Sequence, residues 1–419
     1  MAQRTHTTTA VVIIGALFFL FGFVTWINGP LISYLKIVCE LKNGAEPFYV
    51  TFAFYIAYFV TALPMAWVLG KTGMKRGMMY GLWTMALGAL LFIPAAQGRS
   101  YGLFLAGLFI IGTGLSLLQT ASNPYITVVG PIESAAARIS VMGICNKLAG
   151  VLAPFVLGAL LLADADTLQA DLAALEGPLL AVRLDELAGR VIMPYAVMAA
   201  ALFALGLFVN FSPLPELDPE VDAPGVSTDG RSILSFPNLV LGVIALFLYV
   251  GVEVMAGDTI GIYGSSLGMP LSATKHLTSY TLIGMVVGYI VGIVAIPKFI
   301  TQSKALAASA VLGVALTVAA TQLSGYSSVM CIALLGFANA LVWPAIWPLA
   351  INGLGRHTKT GSALLIMAIA GGAILPLVYG RLAELPAIGH QQAYWMMVPC
   401  YLFILWYGLK GHRQKAWGA

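Results

Sequence analysis

The stretch SPLPELDPEVDAPGVSTDGRS, residues 212–232, decides the fold. Proline, aspartate and glutamate crowd into it, while the chain on either side is hydrophobic almost without interruption. Such a composition reads as a flexible, solvated linker. The chain therefore divides into 1–211, the linker 212–236, and 237–419.

Composition says what solvent the two outer pieces live in. The 419 residues are 60% hydrophobic and only 9% charged, with a mean hydropathy of +0.91. Soluble domains carry about 25% charged residues, so this is a polytopic membrane protein. The formal net charge of +4 is spread over loops and gives a nucleic-acid partner no support. Cys39, Cys145, Cys331 and Cys400 lack metal-site or redox spacing and read as small core residues. The first apolar run has no small-residue cleavage site after it and reads as a membrane span.

A helix needs about 20 apolar residues to cross a bilayer. Twelve stretches qualify: 10–35, 47–70, 76–96, 100–129, 138–163 and 190–211 before the linker, then 237–265, 273–297, 303–323, 327–353, 359–381 and 390–409. The expected fold is all-α, two six-helix bundles in pseudo-repeat. With both termini in the cytoplasm, thirteen Lys and Arg fall in inner loops and tails against seven outside, which the positive-inside rule favours. The long segment from Asp164 to Arg190 is expected to form a short outer helix. GKTGMKRG (70–77) is a basic, Gly-rich inner turn suited to a hinge. No phosphate loop, nucleophile constellation or metal cluster appears, so neither an enzyme nor an ATP-driven pump is expected, and no tightly bound cofactor.

Two weak internal matches support the division. AGVLAPFVLG (149–158) aligns with GGAILPLVYG (371–380), and FLFGFVTWING (19–29) with FLYVGVEVMAG (247–257). Parallel six-helix repeats are the plan of the major facilitator superfamily, which holds substrate near the midplane between its halves.

Of seventeen acidic residues, only Glu253 and Asp258 lie well inside a span. Each costs roughly 2.5–3.5 kcal/mol near a helix centre on the insertion scale, so a buried ion pair or a functional role must offset it. Five residues apart, they diverge by about 140° on an ideal helix. They face one place only if the helix unwinds, which Gly251 and Gly257 favour. By the repeat, Asn28 lies at the depth of Asp258. Lys147, beside Asn146 in the fifth span, is the only base at membrane depth; it suits a pair with Glu253, donation to substrate hydroxyls, or snorkelling to the inner surface. Gln119 and Asn123 share a face of the fourth span, and Asn339, Trp343 and Trp347 repeat that spacing in the tenth. Amides accept and donate to adjacent hydroxyls and indoles stack on pyranose faces, so this is sugar-site chemistry. Trp347 reads equally as an interface-belt residue. Tyr280, Tyr289, Trp26 and Thr25 are weaker candidates for the same site, with packing the better reading of each.

FFLFGFVTWINGPLISYLK (18–36), LLQTASNPYITVVGP (117–131) and ARISVMGICNKLAG (137–150) resemble the fucose/glucose/galactose branch of sugar symporters in the major facilitator superfamily, bacterial glucose/galactose members above all. The resemblance runs over most of the chain and implies alternating access with sugar entry coupled to protons or sodium. In the fucose–proton branch the first span reads Asn-Asp where this chain has Asn28-Gly29, and the fourth reads Glu-Thr-Ala where it has Gln119-Thr120-Ala121. Only Asn28 and Asn123 carry over, so any carboxylate coupling falls to Glu253 or Asp258. With Asn28 and Thr259 these make a hard-oxygen set that suits Na+ at Asp258; a titrating carboxyl for H+ suits equally.

The expected protein is a monomeric bacterial inner-membrane importer of glucose, galactose or a related hexose, surrounded by lipid, working by cation symport. Gln119, Asn123, Asn146, Lys147, Asn339, Trp343 and Trp347 would hold the sugar, and Asp258, Glu253 and Asn28 would link it to the cation. A sugar uniporter or exporter has the same helix count; a non-transporting sugar sensor is the more distant alternative, and usually carries a longer tail.

Overall fold

The computed structural model describes residues 2–42, 44–128, 135–162, 164–214, 232–296, 299–354, 357–414 and 417. Most of the linker, 215–231, and with it Arg231, lies outside them. Among the described residues every regular element is helical. Eleven helical segments among the described residues are long and apolar enough to cross a membrane. The twelfth predicted span forms as three consecutive shorter pieces, Gly389–Gln392, Ala393–Met396 and Met397–Leu409, completing a twelve-helix fold.

Several spans are interrupted, and proline explains where. The first span runs Ala2–Trp26 and then Asn28–Val38. Pro30 has no N–H for the Trp26 carbonyl and its ring crowds that carbonyl, so the helix breaks at Ile27. Pro344 stands in the same relation to Ala340, and the tenth span divides into Gly325–Asn339 and Val342–Ile351. The second span, Tyr49–Thr72, the third, Met74–Leu90, the fourth, Tyr101–Val128, the fifth, Ala135–Leu161, and the sixth, Ile192–Phe211, precede the linker. The seventh starts at Pro237, an N1 proline. The eighth is Leu277–Ala295, the ninth Gln302–Gln322, and the eleventh Thr358–Met367 followed by Gly371–Ala383.

Before the linker the first span packs on the fifth, the second on the fourth, and the third on the fourth and sixth. After it the eighth packs on the tenth, the ninth on the tenth and twelfth, and the seventh on the eleventh and twelfth. Between these groups the fifth lies along the eighth and the second along the eleventh. Two helices, Ala165–Ala173 and Gly177–Gly189, fill the predicted outer segment where one was expected. Asp164 anchors them: its carboxylate takes Arg190 and Arg183, each at 2.8 Å.

Candidate functional site

The seventh span widens where its second acid falls. Pro237–Val254 is regular α-helix, Met255–Thr259 is one π-turn, and Ile260–Ser266 resumes the α-helix. A π-turn frees backbone carbonyls that hydrocarbon cannot satisfy. Three buried threonines take them. Thr259 Oγ1 donates to the Met255 carbonyl at 2.7 Å, Thr281 Oγ1 to Ala256 at 3.1 Å, and Thr278 Oγ1 to Gly257 at 2.7 Å. The helix thus unwinds where its glycine suggested, and side-chain hydroxyls replace the lost ladder.

The two acids nonetheless turn to different neighbours. Glu253 accepts from Lys147 Nζ at 2.8 Å, with the residues 7% and 8% exposed. That ion pair joins the fifth span to the seventh, and Lys147 does not snorkel. Asp258, 1% exposed, faces the second span, where Thr51 Oγ1 donates to Oδ2 at 3.4 Å. Its Oδ1 has no hydrogen-bond partner among the described residues. The Asn28–Val38 piece packs on the π-turn. Asn28 is fully buried, and neither its side-chain oxygen nor its nitrogen has a hydrogen-bond partner among the described residues. Gly29 admits the approach: a Cβ there would lie 2.4 Å from Thr278 Oγ1.

The predicted sugar ligands are distributed around this centre. Gln119 Nε2 donates to the Tyr58 hydroxyl at 3.0 Å, and Tyr58 stacks on Tyr55. Asn123, half-buried, is engaged one turn further along the same face. Asn146 Nδ2 donates to the Phe18 carbonyl at 3.3 Å and ties the fifth span to the first. Asn339 is fully buried at the break of the tenth span, its Oδ1 accepting from Tyr401 at 2.9 Å, its Nδ2 without a partner among the described residues. Trp343 and Trp347 stack at 5.5 Å, and Trp343 lies 6.5 Å from Tyr249, one turn before Glu253. Gln119 is thus tied to the tyrosine pair of the second span and Trp343 to Tyr249 of the seventh, whereas Asn146 is engaged with its own bundle's backbone.

Sequence reasoning missed Thr51, Tyr55, Tyr58, Tyr249, Thr278 and Thr281. Hydroxyl residues raise no alarm in a span, because each can bond its own helix carbonyl; only contact across helices shows their second use. Trp26, read as packing, sits at the centre with Lys147 Nζ 4.7 Å from its ring.

The end of the molecule carrying residues 42–49 and 381–390 is closed. Glu384 accepts the Ala45 N–H at 3.1 Å, Arg381 donates to Tyr49 at 3.3 Å, and Phe48 packs edge-on to Tyr379. On the same end Lys275 Nζ donates to the Leu162 carbonyl at 3.1 Å and His276 stacks on Phe155.

Comparison with known proteins gives this arrangement a context. The chain is 36% identical over 402 residues to a glucose/galactose transporter of Brucella abortus biovar 1 (strain 9-941), covering 95% of this chain and 93% of that protein. It is 32% identical over 419 residues, 99% of each, to a putative glucose/galactose transporter of Helicobacter pylori (strain 26695). Among solved structures, a variant of the Escherichia coli fucose:proton symporter FucP superposes with a TM-score of 0.75 at 27% identity, over 96% of this chain and 98% of that one, and FucP in the outward conformation with a TM-score of 0.76. A family model described as Major Facilitator Superfamily matches residues 14–377. The chain is thus a multi-pass membrane transporter and not an enzyme, and it belongs to the Major Facilitator Superfamily.

Proposed function

We propose that this protein imports a hexose of the glucose/galactose type by cation-coupled symport, with Asp258 as the coupling carboxylate. The substrate class is supported by the names of the curated relatives, glucose/galactose transporters among them, with an L-fucose-proton symporter at 29% identity. The observation that carries the coupling assignment is the different state of the two acids. Glu253 is committed to Lys147, whereas Asp258 keeps one oxygen without a hydrogen-bond partner among the described residues. A group that binds and releases a cation in each cycle needs such an open oxygen, whereas the charge of Glu253 is already balanced by the Lys147 ammonium.

In this reading the halves 1–211 and 237–419 rock about the linker, both termini are cytoplasmic, the membrane is the bacterial inner membrane, and the closed end faces outward. Sugar enters between Gln119 and Asn123 on one side and Asn339, Trp343 and Trp347 on the other, with Asn146 and Lys147 beneath. Asp258, with Asn28 and Thr51, takes Na+ or H+, and its occupancy governs separation of the seventh span from the second.

Purified protein in proteoliposomes, under an imposed Na+ or proton gradient, tests this. The wild type should accumulate D-glucose or D-galactose under one of the two gradients. Asp258→Asn should lose accumulation but retain counterflow exchange. Accumulation by Asp258→Asn at the wild-type rate removes Asp258 from coupling, and failure of both gradients leaves uniport as the mechanism.

A further inference from the structure

Trp26 is 2% exposed, yet its Nε1–H has no acceptor among the described residues. A buried donor left unpaired costs free energy that ordinary packing does not repay, so a wedge alone would be better made from Phe or Leu. The position is also unusually constrained. One edge of the indole, at Cδ1, abuts Gly150 of the fifth span, where a Cβ would lie 2.5 Å away; the opposite edge, at Cζ3, abuts Gly257 of the seventh, where a Cβ would lie 2.4 Å away. Lys147 Nζ stands 4.7 Å from the ring and is itself 2.8 Å from Glu253 Oε1. Around them Leu282, Met285, Tyr289 and Ala340 make an apolar cluster with the indole. Side chains of both bundles thus meet at this one ring.

We propose that Trp26 is a substrate-recognition residue, its Nε1–H donating to one hydroxyl oxygen of the hexose while Lys147 and Glu253 engage a neighbouring hydroxyl. The proposal rests on the hexose reading above and adds to it which first-span group selects the sugar. The chemistry suits a neutral vicinal diol. The ammonium and carboxylate balance each other, so a charged guest would leave one of them unpaired, whereas adjacent hydroxyls accept from Nε1 and Nζ and donate to Oε1. The glycines at 150 and 257 are then the clearance that keeps the ring in place in both the empty and the loaded protein.

The test uses the full-length protein in detergent, with binding of D-glucose, D-galactose and their monodeoxy analogues measured by calorimetry, alongside thermal unfolding without sugar. Trp26→Phe keeps a ring and removes the donor. The expected result is an unfolding midpoint equal to or above the wild type, with affinity for the parent sugar lowered roughly tenfold. One monodeoxy analogue, lacking the hydroxyl that Nε1 reads, should bind the variant no more weakly than it binds the wild type. Should Phe leave the ring loose, benzothienylalanine at position 26 preserves the bicyclic shape without N–H and should give the same pattern. Unchanged affinity in both replacements, or an equal loss for every analogue, overturns the assignment while the hexose reading stands. A wild type that binds none of these sugars overturns the hexose reading, and this assignment with it.

Discussion

Replacing Glu253 by Gln removes one charge from the Lys147–Glu253 pair and changes almost nothing in shape. Both residues are under a tenth exposed and the contact is 2.8 Å, so the ammonium left behind has neither water nor counter-charge. Breaking a buried pair from one side costs about 3–5 kcal/mol, because the remaining charge is uncompensated. Lys147→Met should cost a similar amount by stranding the carboxylate. The double variant Lys147→Met/Glu253→Gln strands nothing, and replacing a whole buried pair by neutral groups is often close to neutral. The cycle should therefore show strong coupling, with the double variant more stable than either single one by about 2 kcal/mol or more. All four cysteines are free and none is fully exposed, so a thiol-reactive fluorophore reports unfolding directly in detergent. If the two single losses simply add in the double variant, the pair does not exist in the folded protein, and the argument that frees Asp258 for coupling falls with it.

Thr278→Val removes the hydroxyl that holds the Gly257 carbonyl and should cost about 1–3 kcal/mol in the same unfolding assay. The control is Tyr280→Phe, two residues along the same span on an exposed ring, which should leave the midpoint unchanged. Gly29→Asp places a Cβ 2.4 Å from Thr278 Oγ1; it should cost less stability in a Thr278→Ala background than in the wild type, whereas an equal loss in both would mean that the two residues do not touch. Asp164, held by Arg190 and Arg183, has its carboxyl lowered to about 2, the hydrogen bond from Arg190 being the main cause. A lowered carboxyl pKa stabilises the fold above the unfolded value of about 4 and loses that contribution as pH falls toward about 2. Asp164→Asn should thus lower stability by on the order of 1–2 kcal/mol at neutral pH, discounted for partial exposure, and the gap to wild type should close between about pH 4 and pH 2.

Helix positions were legible because hydrocarbon allows few alternatives. A run such as Leu239–Val252 has no other way to satisfy its backbone in lipid, and Lys147 and Glu253 had little but each other to offset their burial. The break at Ile27 was written in Pro30, and the widening near Asp258 in Gly257. What stayed hidden depends on contact between distant segments. Thr51, Thr278 and Thr281 look like any hydroxyl in a helix until the second and eighth spans bring them to the seventh. Trp26 reads as packing for a related reason. Its ring suits that role, and only the unpaired Nε1, beside a lysine from another span, sets it apart. The twelfth span was expected as one helix and arrives in three pieces, since the 3-10 stretch Ala393–Met396 changes the hydrogen-bond pattern without changing the hydrophobic run that sequence reading follows.

In this fold a Cβ at position 29 would meet Thr278 Oγ1, which holds the Gly257 carbonyl beside Asp258. The glycine of the first span and the widened turn of the seventh therefore fit together. Removing the first-span side chain lets Thr278 approach; Thr278, with Thr281 and Thr259, satisfies the carbonyls of a π-turn; and the π-turn turns Asp258 toward Thr51 while Glu253, one turn earlier, meets Lys147. An acid at position 29 would meet Thr278 Oγ1 and disturb the bond that holds the Gly257 carbonyl. The threonines of the eighth span are what hold the widened turn in place beside Asp258.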